Sequence, residues 1–293
     1  MAGFVTSPFV DFWRKLPLLI RAVLSGLFVF AIVGSVVMWL VMVFIPAPWS
    51  IFVMGIVLWV YWQVVSGRWW FGRSVIAGRE YCRATTLSAG VGLWSMIAAL
   101  LIVAVLQAGF VVTFRIIEFP SRLWTLAYDL TAVPVWIAWL FVIMAALTAG
   151  LTEEVGFRGY MQVPLEKHYG APIGIGLVSI VFVVFHLHQT WAPSVLLLLI
   201  VVSAMWGSLA YTSGSLIPGI ISHTVADIIN FSYWWTDVAG SFDKRPISET
   251  GFDVHFFIWL MILGVSILLF ALSMRKIQAK RHTRRKENDP DGT

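Results

Sequence analysis

The sequence predicts an all-α, polytopic integral membrane protein of about eight transmembrane helices. Three observations lead there. Hydrophobic residues make up 59% of the 293 and charged ones only 12%, about half the charged share of a soluble domain. Uncharged runs such as 22–45 and 130–152 recur along the chain, and about 20 apolar residues cross a bilayer as a helix. The basic residues gather between and after those runs. The net charge of +5 is therefore explained by the positive-inside rule. It predicts contact with membrane lipid and no nucleic-acid partner. The lone Cys82 excludes an intramolecular disulfide and a Cys-rich metal site.

Each element follows from its own stretch. Arg14, Lys15 and Arg21 precede the run 22–45, which is too long for a signal-peptide core and is expected to be a retained first span. Pro46-Ala47-Pro48 is a turn. The second span, 51–65, is short and rich in Trp and Tyr, the residues of an interfacial belt. A basic stretch with Arg68, Arg73, Arg79 and Arg83 follows. Span three lies within 84–114. Span four starts near Leu130, runs through Glu153, and continues from Arg158 to Lys167 as an amphipathic helix. A turn at 168–172 leads to span five, 173 to about 188. Span six begins at Pro193 and ends near Tyr211. Span seven starts near Pro218, a favoured first-turn residue, and ends among Tyr233, Trp234 and Trp235. A polar loop, 237–253, precedes span eight, 255–274. The tail from Arg275 to Lys286 is basic, and 288–293 has nothing to bury.

This divides the chain into N-terminal membrane helices (1–129, three spans), a core (130–235, spans four to seven), a loop and last span (236–274) and a basic tail (275–293). Counting Lys and Arg puts the N-terminus, the 68–83 loop, the region near 167 and the tail on one side. Both termini are thus expected to be cytoplasmic, in a multi-pass protein of the cell membrane.

Within these apolar runs stand a few costly groups: Glu153, Glu154, Arg158, His186, His223 and Asp227. An ionisable side chain inside a membrane is by default a functional-site hypothesis. Glu153 lies 17 residues before Gly170 and His186 lies 16 after it. On two antiparallel helices both stand about 25 Å from the turn, so they can face each other. Glu154 and Arg158 are spaced i,i+4 and share a helix face. The arginine pairs one acid and leaves the other for acid/base work. Glu153 is taken as the base and Glu154 as the partner of Arg158, with the reverse assignment open. His223 and Asp227, also i,i+4, can grip a water, a metal or an oxyanion. His188 sits about 200° round a helix from His186, so it is read as interfacial. Each group also has a plain structural reading: packing histidines, a helix clamp, an Asp bonded to its neighbour. Convergence of several such groups is what favours a site.

These residues resemble the CPBP intramembrane proteases, which include the type II CAAX prenyl endopeptidases and the bacterial Abi proteins. The resemblance rests on Glu153-Glu154-x-x-x-Arg158 followed by Gly159-Tyr160, on Phe182-x-x-x-His186, and on His223-x-x-x-Asp227. Ser213–Gly219 resembles the approach to the third motif. The match covers roughly residues 130–235. It implies an eight-helix membrane fold with a CAAX type II protease-like core that hydrolyses peptide bonds of membrane-bound peptide or protein substrates. Carried over, Glu153 and His186 activate water, His223 and Asp227 stabilise the oxyanion, and Glu154 and Arg158 support them. The family position of Asp227 is commonly Asn. An ionised Asp accepts hydrogen bonds and donates none, so Asp227 must be protonated, help to bind a metal or orient His223. The family is described both as metal-dependent and as a metal-free Glu/His type. If a metal such as zinc is present, its candidate ligands are His186, His223, Asp227 and Glu153, although no H-E-x-x-H occurs. Two competing readings are a non-proteolytic scaffold or Abi-like immunity factor and a proton-coupled transporter.

Overall fold

The computed structural model describes residues 8–69, 78–119, 130–187, 193–240, 243 and 245–288. Nine principal helices carry the fold among them. A short α1 (Pro8–Lys15) leads into α2 (Leu18–Phe44), which contains a π-helical stretch at Ile32–Val37. Next come α3 (Trp49–Val65) and α4 (Ala89–Ile116). A single continuous α5 (Val135–Tyr169) widens into π-helix at Glu154–Met161. Then follow α6 (Ala171–Phe185), α7 (Pro193–Ser213) and α8 (Ile217–Ile229, continued as π-helix through Trp234). The long α9 (Val254–Asn288) ends the described chain.

Five of these, α2, α4, α5, α7 and α9, are long and apolar enough to cross a membrane. The apolar α3 and α6 are shorter. Each of the eight expected segments is helical, while length and composition qualify five of them as spans.

α4 is the axle of the bundle. Of its most apolar window, 78% is buried, against 6% for α2, so α2 turns most of its surface to the bilayer. Around α4 pack α7, α8 and α9. Ala98, Ile102 and Val105 of α4 share one core with Leu165 of α5, Leu209 of α7 and Ile277 of α9. Packing here relies on close fit, since lipid is as apolar as the helix surface. At the π turn of α5 the chain comes hard against α2. A Cβ on Gly156 would stand 2.8 Å from the Gly26 carbonyl oxygen, closer than any side chain could sit.

Several boundaries differ from expectation. α6 ends at Phe185, not near His188, because His186 leaves the helix with φ −101° and ψ 9°. His188, expected at the interface, falls outside the described residues. The basic stretch 275–288 continues α9 as helix. Lys and Arg are good helix formers, and Arg281 donates to the Thr212 carbonyl at 2.7 Å. That places a cation on the negative end of α7. Arg73 also lies outside the described residues. The α5–α6 hairpin turns at Gly170, whose φ of +85° suits a residue without a Cβ.

Candidate active site

The α5–α6 hairpin and α8 bring four of the predicted groups to one place. Glu153 is the last α-helical residue before the π turn of α5, and His186 caps α6. His223 and Asp227 share one face of α8. Glu153 Oε2 stands 3.9 Å from His186 Nε2 and 3.7 Å from His223 Nε2. His223 Nε2 is 3.6 Å from Asp227 Oδ2. All four line one cavity of about 90 Å³, which has room for a few waters. Glu153 Oε2 is buried and has no hydrogen-bond partner among the described residues. The distances to the two imidazoles are too long for direct bonds, the situation in which a bridging water is to be considered.

Both imidazoles are held from behind. His186 Nδ1 is 2.8 Å from the Phe182 carbonyl. A carbonyl only accepts, so Nδ1 carries a proton, and Nε2 is the nitrogen turned toward Glu153. The ring stacks on Phe182 at 4.2 Å. His223 Nδ1 is 3.0 Å from Glu154 Oε1, and its ring stacks on Trp206 at 4.2 Å and 13°. Trp206 is fixed in turn, its Nε1 donating to Ser222 Oγ at 2.7 Å.

Glu154 therefore has two jobs, one more than the sequence reading gave it. The same Oε1 that meets His223 lies 3.3 Å from Arg158. Both members of that ion pair are fully buried. Arg158 donates to Ser203 Oγ at 3.0 Å, and its guanidinium lies 4.6 Å from the Phe182 ring centre and 5.3 Å from that of Trp206. Cation–π attraction is strongest in such water-free surroundings.

The sequence reading missed Ser203, Trp206, Gln107 and Asn230. Gln107 had a signal, an amide inside the apolar run of α4, and Asn230 had one, three residues after Asp227. Ser203 and Trp206 had none, since both residue types are ordinary in membrane helices.

The metal expectation meets a geometric difficulty. Ligand atoms round a tetrahedral zinc, with bonds of about 2.0–2.1 Å, lie roughly 3.3–3.4 Å apart. Here the separations are 3.6–3.9 Å. Among the described residues no group of three or more His, Cys, Asp or Glu is placed to hold a metal ion. His186, His223, Asp227 and Glu153 as arranged do not fit zinc.

The fold and this constellation define a polytopic, all-helical membrane protein with a carboxylate–imidazole centre inside its helical bundle. Residues 134–229 match the family described as "Type II CAAX prenyl endopeptidase Rce1-like". The matched segment contains all three motifs, so the resemblance to the CPBP proteases is borne out there, and it points to a protease of the CAAX type. No curated protein and no solved structure gave a match.

Proposed function

We propose that this protein is an intramembrane endopeptidase of the CAAX type, which hydrolyses peptide bonds of membrane-bound peptide or protein substrates with a water activated by Glu153 and His186. The observation that supports it most is the meeting of Glu153 Oε2 with two imidazole Nε2 atoms across 3.7–3.9 Å at the wall of one cavity. A water there sits between a carboxylate and His186 Nε2. Glu153 takes a proton as the water oxygen attacks the scissile carbonyl carbon. The carbonyl oxygen becomes an oxyanion facing His223 Nε2 and Asp227 Oδ2. His223 donates from Nε2 only when doubly protonated, a form whose charge the Glu154 carboxylate on Nδ1 complements. Asp227 donates only with a proton on Oδ2. The C–N bond then breaks, and the departing amine takes the proton from Glu153. Glu154 and Arg158 hold this arrangement and touch no substrate. The same reading keeps both termini on the cytoplasmic side of the cell membrane.

The test is proteolysis of membrane peptides by purified protein in liposomes. Glu153→Ala and His186→Ala should each abolish cleavage, since a general base contributes about 10²–10⁴-fold. Equal cleavage by wild type and Glu153→Ala would refute the proposal.

A further inference from the structure

Next to Asp227 lies a second polar cluster that the mechanism above does not use, and one of its members, Asn230, also lines the site cavity. Gln107 of α4, Asn230 and Trp234 of the π end of α8 are each buried among apolar neighbours. They form a chain. Trp234 Nε1 donates to Gln107 Oε1 at 3.2 Å. Gln107 Nε2 donates to Asn230 Oδ1 at 2.8 Å, and also approaches the Ala226 carbonyl at 3.4 Å. Asn230 Nδ2 points at Asp227 Oδ1 at 3.5 Å, the longest link.

The direction of this chain is not free. An indole N–H can only donate. Gln107 must therefore turn its oxygen to Trp234 and its NH₂ to Asn230. The Ala226 carbonyl, which only accepts, demands the same orientation. Asn230 must then accept with its oxygen, which leaves its NH₂ for Asp227. A donor at one end fixes every amide after it and ends by requiring that Asp227 Oδ1 accept.

The geometry points to Trp234, Gln107 and Asn230 as positioning residues that fix which oxygen of Asp227 serves the reaction: Oδ1 is committed to Asn230, and Oδ2 is presented to His223 and the cavity. The inference rests on the endopeptidase reading for its catalytic consequence, not for the relay itself. The relay is compatible with either an acid or the Asn that the CPBP proteases commonly carry at this position. With Asp227→Asn, the relay would draw the new amide's oxygen against Asn230 and leave its NH₂ toward the cavity. That is the same polarity as a carboxyl group protonated on Oδ2.

Two measurements test it. In the liposome assay, Gln107→Met should lower kcat about tenfold with KM unchanged, because Gln107 does not line the cavity, and Asn230→Leu, at the cavity wall, should lower kcat by about the same factor. Their losses should not add in the double variant, since both break one chain. Additive losses or a change confined to KM would overturn the relay. The second readout needs no activity. The infrared band of the Asp227 side chain, isolated by subtracting the Asp227→Asn spectrum, should shift in both Asn230→Leu and Gln107→Met. An unmoved band overturns the inference even if proteolysis itself is never found. A shifted band in a protein that cleaves nothing would leave the relay standing and sink only the endopeptidase reading.

Discussion

At the scale of single residues, the site is built by making charged groups satisfy one another out of water. Arg158 is the extreme case. Its guanidinium is fully buried, paired with Glu154 and enclosed by Phe182 and Trp206. Removing one member of a buried ion pair strands the other and costs about 3–5 kcal/mol. Arg158→Met should therefore lower the stability of the detergent-solubilised protein by about that amount in a denaturation experiment. Adding Glu154→Gln should recover part of the stability and none of the activity, because the amide no longer supplies a charge behind His223. Arg158→Lys should not substitute. An ammonium lacks the flat face that lies against two rings and the forked pair of nitrogens that meet Glu154 and Ser203 from separate positions. Recovery of full activity by the lysine variant would mean that charge alone matters here.

At the scale of elements, the proposed chemistry depends on how closely α5 approaches α8. Gly150 sets that distance, since a Cβ there would stand 2.4 Å from Thr224 Oγ1 and 2.8 Å from the Thr224 nitrogen. Gly150 lies one turn before Glu153, and Thr224 directly follows His223. Gly150→Val should cost about 1–3 kcal/mol of stability through overpacking. Cleavage should fall by about 10²-fold, the scale expected when reacting groups are misplaced by about 1 Å. A variant that cleaves normally would show that the helices can separate without harm. A second joint lies at the opposite end of α4. Buried Arg115 donates to Asp253 Oδ2 at 2.8 Å and to Thr250 Oγ1 at 2.7 Å, tying α4 to the start of α9. The hydrogen bond from Arg115, and then one from the Phe256 N–H, hold the Asp253 carboxyl below its ordinary range. A carboxyl depressed on folding stabilises fully above its unfolded value, about pH 4, and loses that contribution as pH falls through the folded value. Asp253→Asn should therefore be less stable than wild type near neutrality and converge with it in acid. A difference that stays constant down the titration would exclude the carboxylate as its source. The sequence showed where these helices lie, because apolar runs and their basic flanks follow directly from the bilayer. It did not show the π turn at Glu154–Met161 or the early end of α6 at Phe185. Those are decided by which backbone must pass which, as at Gly156 against Gly26, and not by local composition.

At the scale of the whole molecule, the motif residues were legible because a charge in an apolar run is conspicuous, whereas their supports were not. Trp206 and Ser203 join the candidate site only through contacts with Arg158 and His223, which come from distant stretches. Cys82 belongs to the same class, a residue unremarkable in sequence that the assembled fold places at a junction. It is fully buried, and its Sγ donates to the Val65 carbonyl at 2.9 Å. Around it meet Tyr61 of α3, Val155 of α5, Ala210 of α7 and Leu216 just before α8. Burial pushes the Cys82 thiol up to about 12. Since the thiolate is the nucleophile, the native protein should resist alkylation by a small uncharged maleimide at mildly alkaline pH. The chain has one cysteine, so mass spectrometry reads this single site without ambiguity. Labelling should begin only as four separately encoded stretches come apart, and it should track loss of proteolysis along a denaturant series if the bundle opens as a unit. Rapid labelling of active protein would mean that the segment carrying Cys82 opens on its own, so that the junction is not part of what holds Glu153 against the two imidazoles.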